Sequence, residues 1–334
     1  MDYNPPSLSP EVDTISLKPD ELTTQKEKTF FIFLLVISLC GWAFIILSVL
    51  GLIYALLICL AAWMASGLLA AKLKSESVEL TQEQLPTLFR VYDEVCTKLG
   101  IQERPSFYLL QSNGLLNAFA TRHSGRNFVV IYSSLLESLG HDTPEVRFLI
   151  GHELGHIKRN HLLKRLLLAP SLIVPLVGKA YHRACEATCD RFGVFAAGSL
   201  DGGTRGLLVL GSGREAAHQL HAKLFANQYH HHRGFFVSWH ELASNYPTLS
   251  QRVSNVLSLK YPEFARRAKR NPLAYLCAPI FTFQTLIIIY FLAIFASLAL
   301  PTVTAALKKG QAAQRNAIEH QRLFQQQNSP NPTP

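Results

Sequence analysis

From Phe30 to Ala71 the chain carries no charged side chain, 42 residues in a row. A helix crosses a bilayer in about 20 residues. Backbone that enters lipid must satisfy its own hydrogen bonds, which leaves helix as the form for such a stretch. The length predicts a transmembrane hairpin of two spans joined near Ser48–Gly51, with one long tilted helix as the alternative. Lys26 and Lys28 flank one end and Lys72 and Lys74 the other, so both ends read as cytoplasmic by the positive-inside rule. A second apolar run, Leu273–Leu300, follows Arg266, Arg267, Lys269 and Arg270. It reads as a C-terminal transmembrane helix that carries the remainder to the far side. Leu166–Val177 is apolar too, but it is short and holds Pro170 and Pro175. It either dips into the membrane interface or forms a buried connection.

These runs divide the chain. Residues 1–29 are proline-rich and acidic, and read as a disordered tail. Residues 30–71 are the hairpin, 72–272 a domain outside the lipid, 273–300 the last span, and 301–334 a Gln-rich, disordered tail. The 49% hydrophobic and 16% charged content suits such a membrane protein. The net charge is +9, and the basic residues cluster beside the apolar runs. That points to an anionic lipid surface as partner and away from nucleic acid. The six cysteines have no disulfide-like spacing, which fits a reducing compartment.

Within 72–272 the periodicity predicts a mainly α domain with a small β-sheet. Residues 81–100 repeat at helical spacing up to Gly100. Ser106–Leu110 and Asn127–Tyr132 alternate as strands, and the loop between them holds Asn117-Ala118-Phe119-Ala120 and a turn at Gly125. Ser133–Leu139 is a short helix. A longer one starts at Pro144, capped by Asp142 or Thr143, and is expected to run past His156 towards His161. Residues 180–197 form another helix, Gly198–Gly213 a glycine-rich break, 214–228 a further helix, and His230-His231-His232 a basic loop. A last helix starts near Leu249.

The longer helix contains Gly151-His152-Glu153-Leu154-Gly155-His156. His152 and His156 stand one turn apart on one face, so both imidazoles reach one metal. Glu153 sits about 100° round the helix, placed to reach water and act as general base. Two neutral nitrogens beside a carboxylate suit Zn²⁺, one per chain. The third ligand is read as Glu186, with Asp190 one turn on to hold a ligating imidazole; His182 is the rival. His240, Tyr246 and Arg252 are candidate donors to a developing oxyanion. Cys185 and Cys189 are read as packing residues, with soft-metal or redox chemistry as the alternative. Trp239-His240-Glu241-Leu242-Ala243-Ser244 begins like the metal motif but has Ser where the second His belongs, so it makes no second site.

Four blocks in order carry a family resemblance: Asn117-Ala118-Phe119-Ala120; the His152–His156 motif with His161 after it; Glu186 with Asp190; and Tyr246-Pro247-Thr248-Leu249-Ser250-Gln251-Arg252. The chain resembles the membrane-bound zinc endopeptidases that include the bacterial protease HtpX and, more remotely, the CAAX prenyl endopeptidases. The resemblance implies a zincin-like metallopeptidase domain, with His152, His156 and Glu186 on zinc, Glu153 as base and Asp190 behind them. It also implies that Asn117 lies near an edge strand that binds extended substrate. The chain departs from the pattern at Tyr246, where the family has His, and in having only Leu166–Val177 where HtpX-type proteins have two further spans. The function expected is a zinc endopeptidase of the inner membrane, multi-pass, with a cytoplasmic catalytic domain acting on membrane or membrane-associated proteins, in protein quality control. A prenyl-protein endopeptidase and a catalytically inactive membrane scaffold are the alternatives.

Overall fold

The computed structural model describes residues 17–280 apart from 113, 115, 233 and 266–268, and scattered positions from 289 to 318. Residues up to 279 form one compact unit and those from 280 a second; the fold below is that of the first.

Part of the segment read as a tail is structured. A 3-10 turn covers Pro19–Glu21, and Leu22 and Glu27 are buried. Thr24 accepts the Glu27 amide and caps α1, Gln25–Leu47. Ser48 alone breaks the apolar run: it is extended, and its hydroxyl caps α2, Val49–Glu76, by accepting from Gly51. The two helices are long and apolar enough to cross a membrane, the most apolar 18-residue stretch of each having a mean hydropathy of 2.8 and 2.2. At about 1.5 Å per residue, the 23 residues of α1 extend past a hydrocarbon core of roughly 30 Å.

A four-stranded sheet follows. Its strands are β1 (Val78–Glu79), β2 (Ser106–Leu110), β3 (Ala118–His123) and β4 (Arg126–Tyr132), in the order β1-β2-β4-β3. β2 runs parallel to β4, with Ser106 opposite Phe128, and β3 is antiparallel to it, with Phe119 opposite Val130. The segment expected to be a loop therefore supplies β3, an edge strand. Its alternation is weak, and all six residues are half-buried, which hides the period on which strand prediction rests. Between β1 and β2 lies α3, Pro86–Lys98, shorter at its start than the periodicity suggests.

The core forms where the sheet meets α4 (Ser133–Leu139) and α5 (Pro144–Lys158). Phe107, Val129, Ile131, Leu135, Ile150 and Leu154 pack there, none more than 1% exposed. Thr143 caps α5 by accepting the Val146 amide, and Pro144 occupies its first turn. The helix stops at Lys158 rather than continuing to His161, because Asn160 turns left-handed at φ 53°. α6 (His161–Leu167) and α7 (Ala169–Leu172) then lie along α1. Leu168 and Leu34 are fully buried between them, and Leu167 carbonyl accepts from Ser38 and from the Trp42 indole. Leu166–Val177 is thus a packed connection on one side; Leu166 and Ile173 remain exposed on the other.

α8, Val177–Ala197, packs tightly on α5. A Cβ on Gly151 would fall 2.4 Å from that of Ala196, and one on Gly193 would fall 2.7 Å from the Phe148 carbonyl. Only the missing side chains let these backbones come so close. The glycine-rich stretch after Gly198 is a helix, not a break: α9, Leu200–Ala217, capped by Ser199 and kinked at Gly213. Gly202 and Gly206 lie against α5; a Cβ on Gly202 would meet Pro144 at 2.5 Å and one on Gly206 would meet the Phe148 ring at 2.9 Å. Tertiary packing here overrides propensity. α10 (Ala222–His231) takes in two of the three consecutive histidines. It is followed by α11 (Phe235–Ala243), α12 (Leu249–Leu257) and α13 (Pro272–Ile280). Beyond α13, residues 281–288 of the expected third span lie outside the described residues. In the second unit positions 303–312 are helical, where the composition suggested disorder.

Candidate metal centre

The contact of α5 with α8 sets the site. His152 and His156 project from α5 towards Glu186 on α8. His152 Nε2 lies 3.3 Å from Glu186 Oε2, and His156 Nε2 3.5 Å from Glu186 Oε1. One donor atom of each of the three lies within 4.8 Å of the others. A tetrahedral ion with bonds of about 2.05 Å separates its ligands by about 3.3 Å. The two gaps are close to that edge although they run to different oxygens of Glu186, so the donor set is of the size that a small divalent cation takes. His182, the rival for Glu186, does not line the cleft.

Asp190, one turn along α8, accepts at 2.9 Å from His152 Nδ1. That bond fixes the proton on Nδ1 and leaves Nε2 free to ligate. Arg252, from α12, grips Asp190 in turn through both carboxylate oxygens. Of the three candidate oxyanion donors, Arg252 has its guanidinium engaged by a buried carboxylate. His161 opens α6 with its Nδ1 3.1 Å from His156 Nδ1. In an unbroken helix five residues would set the two side chains roughly 140° apart; the left-handed Asn160 is what turns His161 back.

The surroundings dictate the charges. Burial pushes Glu153 up to about 7, with Glu186 adding to the shift and His152, Arg252 and the Ala120 backbone opposing it. Burial alone would push His152 down, but hydrogen bonds to Asp190 and Glu186 outweigh it and hold the ring at about 10. For His156 burial prevails and pushes the ring down to about 3. Burial opposes the Glu186 carboxylate, yet His152 and His156 hold it below the usual carboxylate range. Asp190 is held low against burial by Arg252 and His152. Buried carboxylates so strongly paired with imidazoles are a mark of functional sites.

The cleft over these donors has a volume of about 200 Å³ and joins the metal-site residues to Asn117, Ala118, Phe119 and Ala120 of the sheet edge and to Tyr246 and Arg252. Asn117 thus sits where edge strand and cleft meet. Tyr246 is 59% exposed at the rim. His240 does not line the cleft and is exposed, because α11 turns Ser238, Glu241 and Leu242 inward instead. A larger cavity of about 360 Å³ lies behind Asp190. It contains none of the three donors, so the chemistry belongs to the smaller cleft. Cys185 and Cys189 are buried, and burial pushes the Cys185 thiol up to about 12, which suits packing rather than reactivity.

Spacing along the chain does not single out Glu27, which is buried and faces His161, Arg159 and Lys164.

Comparison with known proteins agrees with this geometry. The model of the family described as Peptidase family M48 matches residues 82–260. The plastoglobule-localized metallopeptidase 48 of Arabidopsis thaliana chloroplasts is 31% identical over 137 residues, 36% of this chain and 39% of that protein. A protease HtpX homolog of Sulfurihydrogenibium sp. (strain YO3AOP1) is 32% identical over 116 residues, 34% of this chain and 38% of that protein. The chain therefore aligns with under two fifths of each relative's length. No solved structure matches significantly.

Proposed function

The chain belongs to peptidase family M48, and from that premise we propose that it is a membrane-anchored zinc endopeptidase whose substrates are membrane or membrane-associated proteins. The observation that carries the reading is the convergence of His152, His156 and Glu186 beside Glu153 in one cleft under an edge strand.

His152, His156 and Glu186 would hold the ion. Zinc, when bound, supplies Lewis acidity that polarises a carbonyl and makes water a nucleophile near neutral pH. Glu153 takes the proton as water oxygen attacks the scissile carbon, and returns it to the amine nitrogen as the C–N bond breaks. Burial holds the Glu153 carboxyl near the operating pH, where both transfers are easy. Asp190 keeps the His152 ring oriented, and Arg252 keeps Asp190 in place. The β3 edge, which borders the cleft, would offer backbone groups to an extended substrate. Main-chain pairing of that kind reads little of the side chains. With Arg252 committed to Asp190, the Tyr246 phenol at the rim is the donor best placed for the oxyanion.

α1 and α2 supply the anchor. Lysines at both ends of the hairpin favour an inner-membrane protein with its catalytic domain in the cytoplasm, and quality control of membrane proteins is the role such a placement suits. The test is comparative proteomics of cells carrying wild type or Glu153→Gln, with zinc measured on both purified proteins. Retained zinc with accumulation of uncleaved membrane proteins is expected. Wild-type cleavage by Glu153→Gln would end the reading.

A further inference from the structure

The two imidazoles of the candidate site are supported differently. His152 meets its carboxylate directly, at Asp190. His156 meets another imidazole, and the chain of contacts goes on. His161 Nδ1 lies 3.1 Å from His156 Nδ1, and His161 Nε2 lies 3.2 Å from Glu27 Oε1. Glu27 belongs to the first turn of α1, 134 positions before His161 in the sequence, and is fully buried. Arg159 Nη2 at 3.1 Å and Lys164 Nζ at 3.5 Å face the same oxygen.

We infer that Glu27 is a positioning residue for the metal site, acting on His156 through His161. The inference rests on the reading of His156 as a ligand. With His156 Nε2 on a cation, its Nδ1 carries the proton and donates to His161 Nδ1. His161 Nδ1 must then be the bare nitrogen, so its proton sits on Nε2, facing Glu27. One neutral tautomer of each ring satisfies the whole chain, and the carboxylate at its end selects that tautomer. Among the described residues, His161 Nε2 and Glu27 Oε2 are both buried without a well-aligned hydrogen bond. A small rotation of the ring or the carboxylate completes the chain.

Two cations on Glu27 also speak against a second metal in this place. Glu27, His161 and Cys185 lie close enough to share an ion, but Arg159 and Lys164 already occupy the carboxylate and would repel one. The cluster is therefore an orienting device. It is anchored in the first apolar helix, so the seating of α1 on α6 and α8 is coupled to the geometry of the metal site. The α8 carboxylates do not do the same for His156, since Glu186 faces the Nε2 atoms of both histidines and Asp190 faces His152 Nδ1.

The test uses the full chain in detergent and reads zinc affinity by chelator competition. The spectrum of the Co²⁺-loaded protein and the unfolding temperature of the metal-free protein are measured alongside. Loss of an outer partner of a ligating histidine costs about 10–100-fold in metal affinity. Glu27→Gln is expected to lose affinity in that range and to shift the Co²⁺ ligand-field bands. His161→Phe is expected to lose at least as much, and Glu27→Gln is expected to add nothing in the His161→Phe background. Wild-type affinity in Glu27→Gln overturns the inference, as does a full effect of Glu27→Gln when His161 is already Phe, since Glu27 would then act through packing. Should Glu27→Gln fail to fold, Glu27→Asp and His161→Asn carry the same test, and wild-type affinity in both overturns it. Failure of the metal reading itself looks different: His152→Ala would then bind zinc as well as wild type.

Discussion

Arg252 holds Asp190 through both carboxylate oxygens, Nε to Oδ2 at 3.0 Å and Nη2 to Oδ1 at 2.6 Å. Asp190 is buried and Arg252 is largely covered, and the same Oδ1 accepts from His152. One carboxylate thus fixes an imidazole on α5 to a guanidinium on α12, sixty-two positions further along the chain.

Asp190→Ala is expected to have two separable effects. Metal affinity falls about 10–100-fold, because His152 loses the partner that sets its tautomer. Stability falls by about 3–5 kcal/mol, because Arg252 is left buried without a counter-charge. Arg252→Lys keeps the charge but not the fork, and is expected to fall between wild type and Asp190→Ala on both measures. Chelator competition and urea unfolding read the two effects. Wild-type metal affinity in Asp190→Ala would show that His152 needs no such support.

Glu153 gives a pH prediction. Burial raises its carboxyl to about 7, and a base must be deprotonated to act. A cation alongside draws the value down, so the acidic limb of kcat/KM is expected between about 4.5, the unperturbed carboxyl range, and 7. Activity then falls about tenfold per pH unit below the midpoint. Peptide cleavage followed from pH 4 to 9 measures it. A limb that is absent down to pH 4 would remove Glu153 from the role of base.

How much of this was legible beforehand depended on the range of the cause. The two apolar helices, the helix of His152 and His156 and the placing of Asp190 one turn after Glu186 follow from spacing along one element, and the sequence carries that spacing whole. The commitment of Arg252 to Asp190, the outward turn of His240 and the return of His161 do not. Each depends on where a second element lies or, at Asn160, on a single left-handed residue. β3 escaped because a half-buried edge strand has little alternation to show. α9 escaped because glycines that break an isolated helix are the residues needed where α5 presses on it. Glu27 escaped because its partners stand more than a hundred positions away.

The α1–α2 hairpin makes a topological prediction. Ser48 is the only non-helical residue between the two helices, so a reporter at the N-terminus and one inserted after Ser77 are expected on the same, cytoplasmic side. A reporter at Ser48 is expected on the opposite side. Opposite readings for the N-terminus and Ser77 would mean a single crossing and would detach the lysine argument from the catalytic domain.

The closeness of α5 to α8 makes the last prediction. Gly151→Ala places a Cβ 2.4 Å from that of Ala196 and 3.0 Å from the Phe192 carbonyl. Neither contact is with a flexible side-chain end, so the helices must separate. Overpacking of this kind costs about 1–3 kcal/mol, and in a domain of this size each kcal/mol lowers Tm by roughly 2–4 °C. Because Glu186 rides on α8 and the histidines on α5, separation also opens the 3.3 and 3.5 Å gaps that suit a cation. Gly151→Ala is therefore expected to lose metal affinity together with Tm. Gly234→Ala, where the added Cβ meets nothing within 4 Å, is expected to change neither. Thermal unfolding of the metal-free protein and chelator competition check both variants. Full metal affinity in Gly151→Ala at a lowered Tm would mean that the site does not depend on how closely the two helices pack.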